Sequence, residues 1–187
     1  MGFFISYGML VIFITICFVL VRVTCAAVRK KIDWKQECKL LTVYVCLVVI
    51  ARLVYFPWNL VDGHIEKMFI YNSKDIVNTV NPVPFVHLTD IYDGWQRNVF
   101  GNVAMFIPVG LSWPFCFKKI DRVWKATLAG FGLSLFIEIS QLFVFGRSSD
   151  IDDLITNTLG AFIGALIYFG IVKLINMNKP LSDRHRA

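Results

Sequence analysis

The feature that most limits what this chain can fold into is a series of long stretches almost free of charge. Residues 3 to 21, 98 to 117 and 154 to 172 contain no Asp, Glu, Lys or Arg; the run from 126 to 146 is broken only by Glu138, and the run from about 40 to 58 only by Arg52. A bilayer core of about 30 Å takes roughly 20 apolar residues per helix. Five such runs predict an all-α, polytopic membrane bundle of about five transmembrane helices. The 57% hydrophobic composition and mean hydropathy of +0.63 exclude an ordinary soluble domain.

The basic residues set an expected orientation, because short cytoplasmic loops collect Lys and Arg. Arg22, Arg29, Lys30, Lys31, Lys35 and Lys39 lie between the first two runs, and Lys118, Lys119, Arg122 and Lys125 between the third and fourth. Lys173, Lys179, Arg184 and Arg186 follow the fifth. The reading is N-terminus out, C-terminus in, with residues 59–97 and 146–153 facing outward. The first run is read as an anchor, since a cleaved signal peptide carries its positive charge before the apolar core.

The net charge of +6 follows from this topology and from attraction to anionic lipid. Nucleic acid is not an expected partner; membrane lipid is. Cys17, Cys25, Cys38, Cys46 and Cys116 fall in spans or the inner loop, so no disulfide framework is expected. No CxxC or HxxxH spacing occurs, and neither a metal nor a cofactor is expected. Residues 59–97, with Gly63, Pro82, Pro84 and Gly94, read as a structured, partly helical outer loop whose aromatic residues suit the headgroup level. Pro108 predicts a kink in the third span, and Gly160 and Gly164, four apart, predict close helix approach in the fifth.

Ionisable side chains inside a membrane are costly and face a protein interior or a water-filled cavity. Counted from the inner ends of their spans, Arg52 and Glu138 are both the thirteenth residue, which predicts a direct ion pair between them. Gln141 follows Glu138 on a similar face. Asn98 and Asn102 share a face at the outer end of the third span. Asp153, Asn157, Gly160 and Gly164 form one stripe of the fifth. Arg147, Asp150 and Asp152 lie in the connecting loop, where Ser149 and Asp152 have the spacing of a capping box and Asp152 is expected to serve as a helix cap, with Asp150 as the alternative cap. Together these residues define an expected outward polar pocket, with Glu138 and Asp153 as its candidates for acid or base chemistry. Asp150, Asp153 and Asn157 also offer oxygens of the kind a hard divalent cation takes.

Three stretches in order, "NPVPF" at 81–85, "RNVFGNVAMFIPVG" at 97–110 and "EISQLFVFGRSSDIDDLITNTLGAFIG" at 138–164, resemble the VanZ family of bacterial membrane proteins. The resemblance runs from about Asn81 to Tyr168. It carries over to Asn81, Pro84, Phe85, Asn98, Asn102, Pro108, Gly110, Glu138, Gln141, Arg147, Asp150, Asp153, Asn157, Gly160 and Gly164, while Arg52 rests on its depth alone. The chain then divides into two N-terminal helices with a basic loop (1–58), an outer loop (59–97) and a VanZ-like core (81–173). The resemblance implies a multi-pass protein of the bacterial plasma membrane with a role in resistance to teicoplanin-like glycopeptides.

Three functions follow. The leading one is a non-enzymatic envelope protein whose outward pocket recognises a lipid-linked or cell-wall ligand, with a lipid-linked precursor or the glycopeptide as candidates, or which alters how drugs reach the surface. An intramembrane enzyme acting on a lipid or precursor through Glu138 or Asp153 is the alternative, although no nucleophile elbow, zinc motif or phosphate-cradling loop is visible. A small transporter ranks last, because the polar groups gather in the outer half with no matching inner path.

Overall fold

A computed structural model describes residues 2–56, 63–70, 80–85 and 95–178. The expectations placed on residues 57–62, 71–79, 86–94 and 179–187, including much of the outer loop with Gly94 and the basic tail, lie outside the described residues. Five helices dominate: α1 (Tyr7–Arg29), α2 (Trp34–Tyr55), α3 (Trp95–Cys116), α4 (Val123–Gln141) and α5 (Ile151–Met177). All five are long and apolar enough to cross a membrane. Among the described residues four short strands accompany them: β1 (Phe3–Ile5), β2 (Met68–Ile70), β3 (Val80–Asn81) and β4 (Ser149–Asp150).

Local chemistry sets the helix starts. The first apolar run begins at Phe3, but its helix begins only at Tyr7, because Ser6 holds an extended backbone and its hydroxyl accepts the Met9 amide at 3.2 Å. Phe3–Ile5 therefore stays extended and pairs antiparallel with β2, Phe3 opposite Ile70 and Ile5 opposite Met68. Asp33 caps α2 in the same manner, accepting from Lys35 N at 3.1 Å and Gln36 N at 3.3 Å. Helix α3 runs as one element with Pro108 and Pro114 inside it.

The helices pack by small residues and a few polar clasps. Thr15 and Tyr44 hydroxyls lie 2.8 Å apart between antiparallel α1 and α2, and Gln36 Nε2 donates to the Cys116 carbonyl at 2.6 Å between α2 and α3. The most extensive contact joins α3 to α5, which run parallel. There a Cβ on Gly160 would collide with the Val103 carbonyl, one on Gly164 with that of Ile107, and one on Gly110 with that of Ala161. Glycine lets the two backbones approach where lipid supplies no hydrophobic drive, as its spacing in the sequence predicts. Antiparallel α4 closes the group, with Gly130 against Ala161.

The central core comprises Ile50, Val54, Phe106, Val109, Ile137 and Ala161. Helix α1 has no fully buried residue: one face packs half-buried on α2 through Thr15 and Phe18, and the rest of its apolar surface is exposed. The bundle consequently has two unlike ends. The C-terminal ends of α2 and α4 and the N-terminal ends of α3 and α5 share one; the basic turns 30–33 and 117–122 share the other.

Candidate functional site

The first of these ends carries the polar residues, and the loop from α4 to α5 organises them. On α4, Ser134, Glu138 and Gln141 fall at i, i+4 and i+7, and all three are buried. On α5, Asn157 is 2% exposed, and its Nδ2 donates to Ser134 Oγ at 3.0 Å. Glu138, 4% exposed, accepts the backbone amide of Asp150 through Oε2 at 2.9 Å. A carboxylate thus satisfies an amide at the turn where the chain re-enters the bundle.

Asp150 in turn starts α5. Its Oδ1 accepts from Asp152 N at 2.9 Å, and its Oδ2 accepts from Asn81 Nδ2 at 3.1 Å. Asn81 lies on β3, which pairs parallel with β4, Val80 opposite Ser149 and Asn81 opposite Asp150. Asn81 Oδ1 also accepts Val83 N at 3.3 Å, shaping the turn that follows. Asp152 then reaches the same segment, accepting Phe85 N at 2.6 Å. Two stretches nearly 70 residues apart are in this way bolted together. On the α3 side, Asn102 Nδ2 donates to Asp153 Oδ1 at 2.7 Å.

Arg147 differs from these residues. It is half-buried, and its side chain makes no hydrogen bond or ion pair among the described residues. Burial lowers the pKa of its guanidinium, and the nearby Asp153 pulls it back upward. The opposite flank of its loop is fixed by β2: Ile70 bridges Val144, and Phe145 N donates to Phe69 O at 2.8 Å. Arg147 is therefore a charged group on an anchored loop, beside acids that already have donors. Two further buried atoms of the seam between α4 and α5, Gln141 Oε1 and Asn157 Oδ1, make no hydrogen bond among the described residues.

The sequence-derived site is brought together in part. Glu138, Asp150 and Asn81 form one chain of contacts, Asn102 and Asp153 a second, and Asn157 joins α4 through Ser134. Gln141 is buried on the same stripe as Glu138, whereas Asn98 is exposed on the first turn of α3. Two expectations are corrected. Arg52 Nη1 donates to the Phe56 carbonyl at 3.3 Å at the end of its own helix, and no Arg52–Glu138 ion pair forms among the described residues. Equal depth in two helices fixes height but not azimuth, and Glu138 is turned to the α4–α5 loop. Asp150, not Asp152, caps α5; Asp152 instead holds the Phe85 amide.

Three participants escaped the sequence reading. Ser134 was legible in principle, four residues before Glu138 on the same face. The Tyr55 and Ser140 hydroxyls, which hydrogen-bond each other between α2 and α4, carried no motif. No group of three or more His, Cys, Asp or Glu side chains among the described residues is arranged to hold a metal ion. The apolar groove of about 670 Å³ along α4 and α5, lined by residues such as Trp124, Phe131 and Phe162, contains none of the polar cluster.

These features define a multi-pass membrane protein whose polar side chains converge at one end of a five-helix bundle. A sequence model of the VanZ/LLP1 family matches residues 41–175, taking in α2 as well as the segment from Asn81 onward. Protein VanZ of Enterococcus faecium is 33% identical over 133 residues, covering 71% of this chain and 74% of that protein. The chain belongs to the VanZ/LLP1 family. No solved structure matches it.

Proposed function

We propose that this protein acts in the bacterial plasma membrane as a VanZ-like resistance factor, its polar end facing outward and recognising a lipid-linked or cell-wall ligand. The family relationship supports the role in resistance to teicoplanin-like glycopeptides, and the basic turns at the opposite end support the orientation. The observation that carries the ligand reading is Arg147, a half-buried guanidinium without an ion-pair partner among the described residues. Such a group suits a phosphate or carboxylate, which it engages through two parallel N–H donors. The neighbouring acids have a structural part, since Glu138, Asp150, Asp152 and Asp153 each accept a hydrogen bond from the protein. Their work is to hold the loop and the 80–85 segment around the arginine.

Expression in a glycopeptide-susceptible bacterium tests the role. Cells carrying the protein should tolerate more teicoplanin than cells carrying an empty vector at equal growth rate. Unchanged susceptibility, with the protein present in the membrane, would contradict it.

A further inference from the structure

At the end of the bundle remote from Arg147, the turn between α1 and α2 borders a cavity of about 220 Å³. Its wall carries Arg22 and Arg29 from α1, Lys31 and Asp33 from the turn, and Gln36 and Glu37 from α2. Three cations thus stand against two carboxylates, but both carboxylates are engaged within the wall. Glu37 receives Arg22 Nε at 2.8 Å and Nη2 at 2.5 Å, and Asp33 accepts the Lys35 and Gln36 amides. Gln36 ties the wall to α3 through the Cys116 carbonyl. Arg29 and Lys31 remain exposed, with no hydrogen bond or ion pair among the described residues.

The surroundings favour a lipid over a free ion. Helix α1 has 23 residues and is therefore about 34 Å long, enough to cross the hydrocarbon core and leave the cavity at headgroup depth. Because α1 buries none of its residues, Val19, Val23 and Val28 are exposed on the approach to the turn. Apolar surface below and two exposed cations above, Arg29 within electrostatic reach of Glu37, match a phosphodiester bearing acyl chains. We propose that this cavity binds the phosphate of an anionic phospholipid headgroup between Arg29 and Lys31, with the acyl chains lying along α1.

Thermal unfolding of the full-length protein in a neutral detergent tests this, with phosphatidylglycerol, phosphatidylcholine or inorganic phosphate added separately. Phosphatidylglycerol should raise the melting temperature, and the double variant Arg29→Gln/Lys31→Gln should weaken its apparent affinity about tenfold or more, since each basic residue near the surface adds substantially to anionic-lipid attraction. The control Lys118→Gln/Lys119→Gln, on the other basic turn, should respond like the parent. Equal protection by phosphatidylcholine, or by millimolar inorganic phosphate alone, would overturn the lipid assignment. So would equal loss in both double variants, which would reduce the effect to diffuse charge.

Discussion

The Glu138 carboxylate accepts the backbone amide of Asp150 at 2.9 Å, so a buried acid on α4 fixes the residue that caps α5. Its carboxyl oxygen therefore has a structural task before any chemical one. Glu138→Gln keeps an oxygen at the same place and should leave the fold near its parent stability. Glu138→Ala strands a buried amide and should cost about 1–3 kcal/mol. Reversible unfolding in mixed detergent micelles separates the two; equal stability of both variants would show that the bond carries no weight.

Asp152 makes the matching contact on the other side of the turn. Asp152→Ala removes the acceptor for Phe85 N and should loosen the segment around residues 81–85. Amide exchange at Phe85 should accelerate about tenfold or more, whereas Asp152→Asn should protect it. Unchanged exchange in the alanine variant would refute the clasp.

The glycines between α3 and α5 make a sharper prediction. Gly160→Leu drives a side chain into the Val103 carbonyl and should destabilise by about 1–3 kcal/mol or more. Gly170→Ala, in the same helix with open space at its Cβ, should be neutral or stabilise by about 0.5–1 kcal/mol. Thermal melts of the two variants in one detergent compare them, and similar behaviour would deny that the close crossing holds the bundle.

How far the sequence discloses this arrangement depends on the range of the interaction. The five spans and the close glycine contact were legible because each is a local pattern of composition or spacing. The strands were not: two or three residues are too few to show a period, and Phe3–Ile5 is as apolar as the helix it precedes. The convergence of Glu138 and Asp150 was legible, but Asp152 reads as a cap because its partner is a backbone amide 67 positions away. Such an amide has no signature in sequence. The Arg52 pairing failed for a different reason, since counting residues gives depth while the facing of a helix turns by about 100° per residue.

Orientation has its own test in a cysteine-free background. Ser148→Cys should react with a membrane-impermeant maleimide on intact cells, while Lys118→Cys should react only after the membrane is opened. The reverse pattern would invert the topology and move the polar end to the cytoplasm.

Teicoplanin susceptibility should be measured in cells producing parent, Arg147→Lys and Arg147→Gln proteins at matched membrane levels. Loss of most of the parent's protection in Arg147→Gln, with partial retention in Arg147→Lys, is the predicted result, because lysine keeps the charge but not the paired donors. Full protection by a folded Arg147→Gln protein would contradict the account.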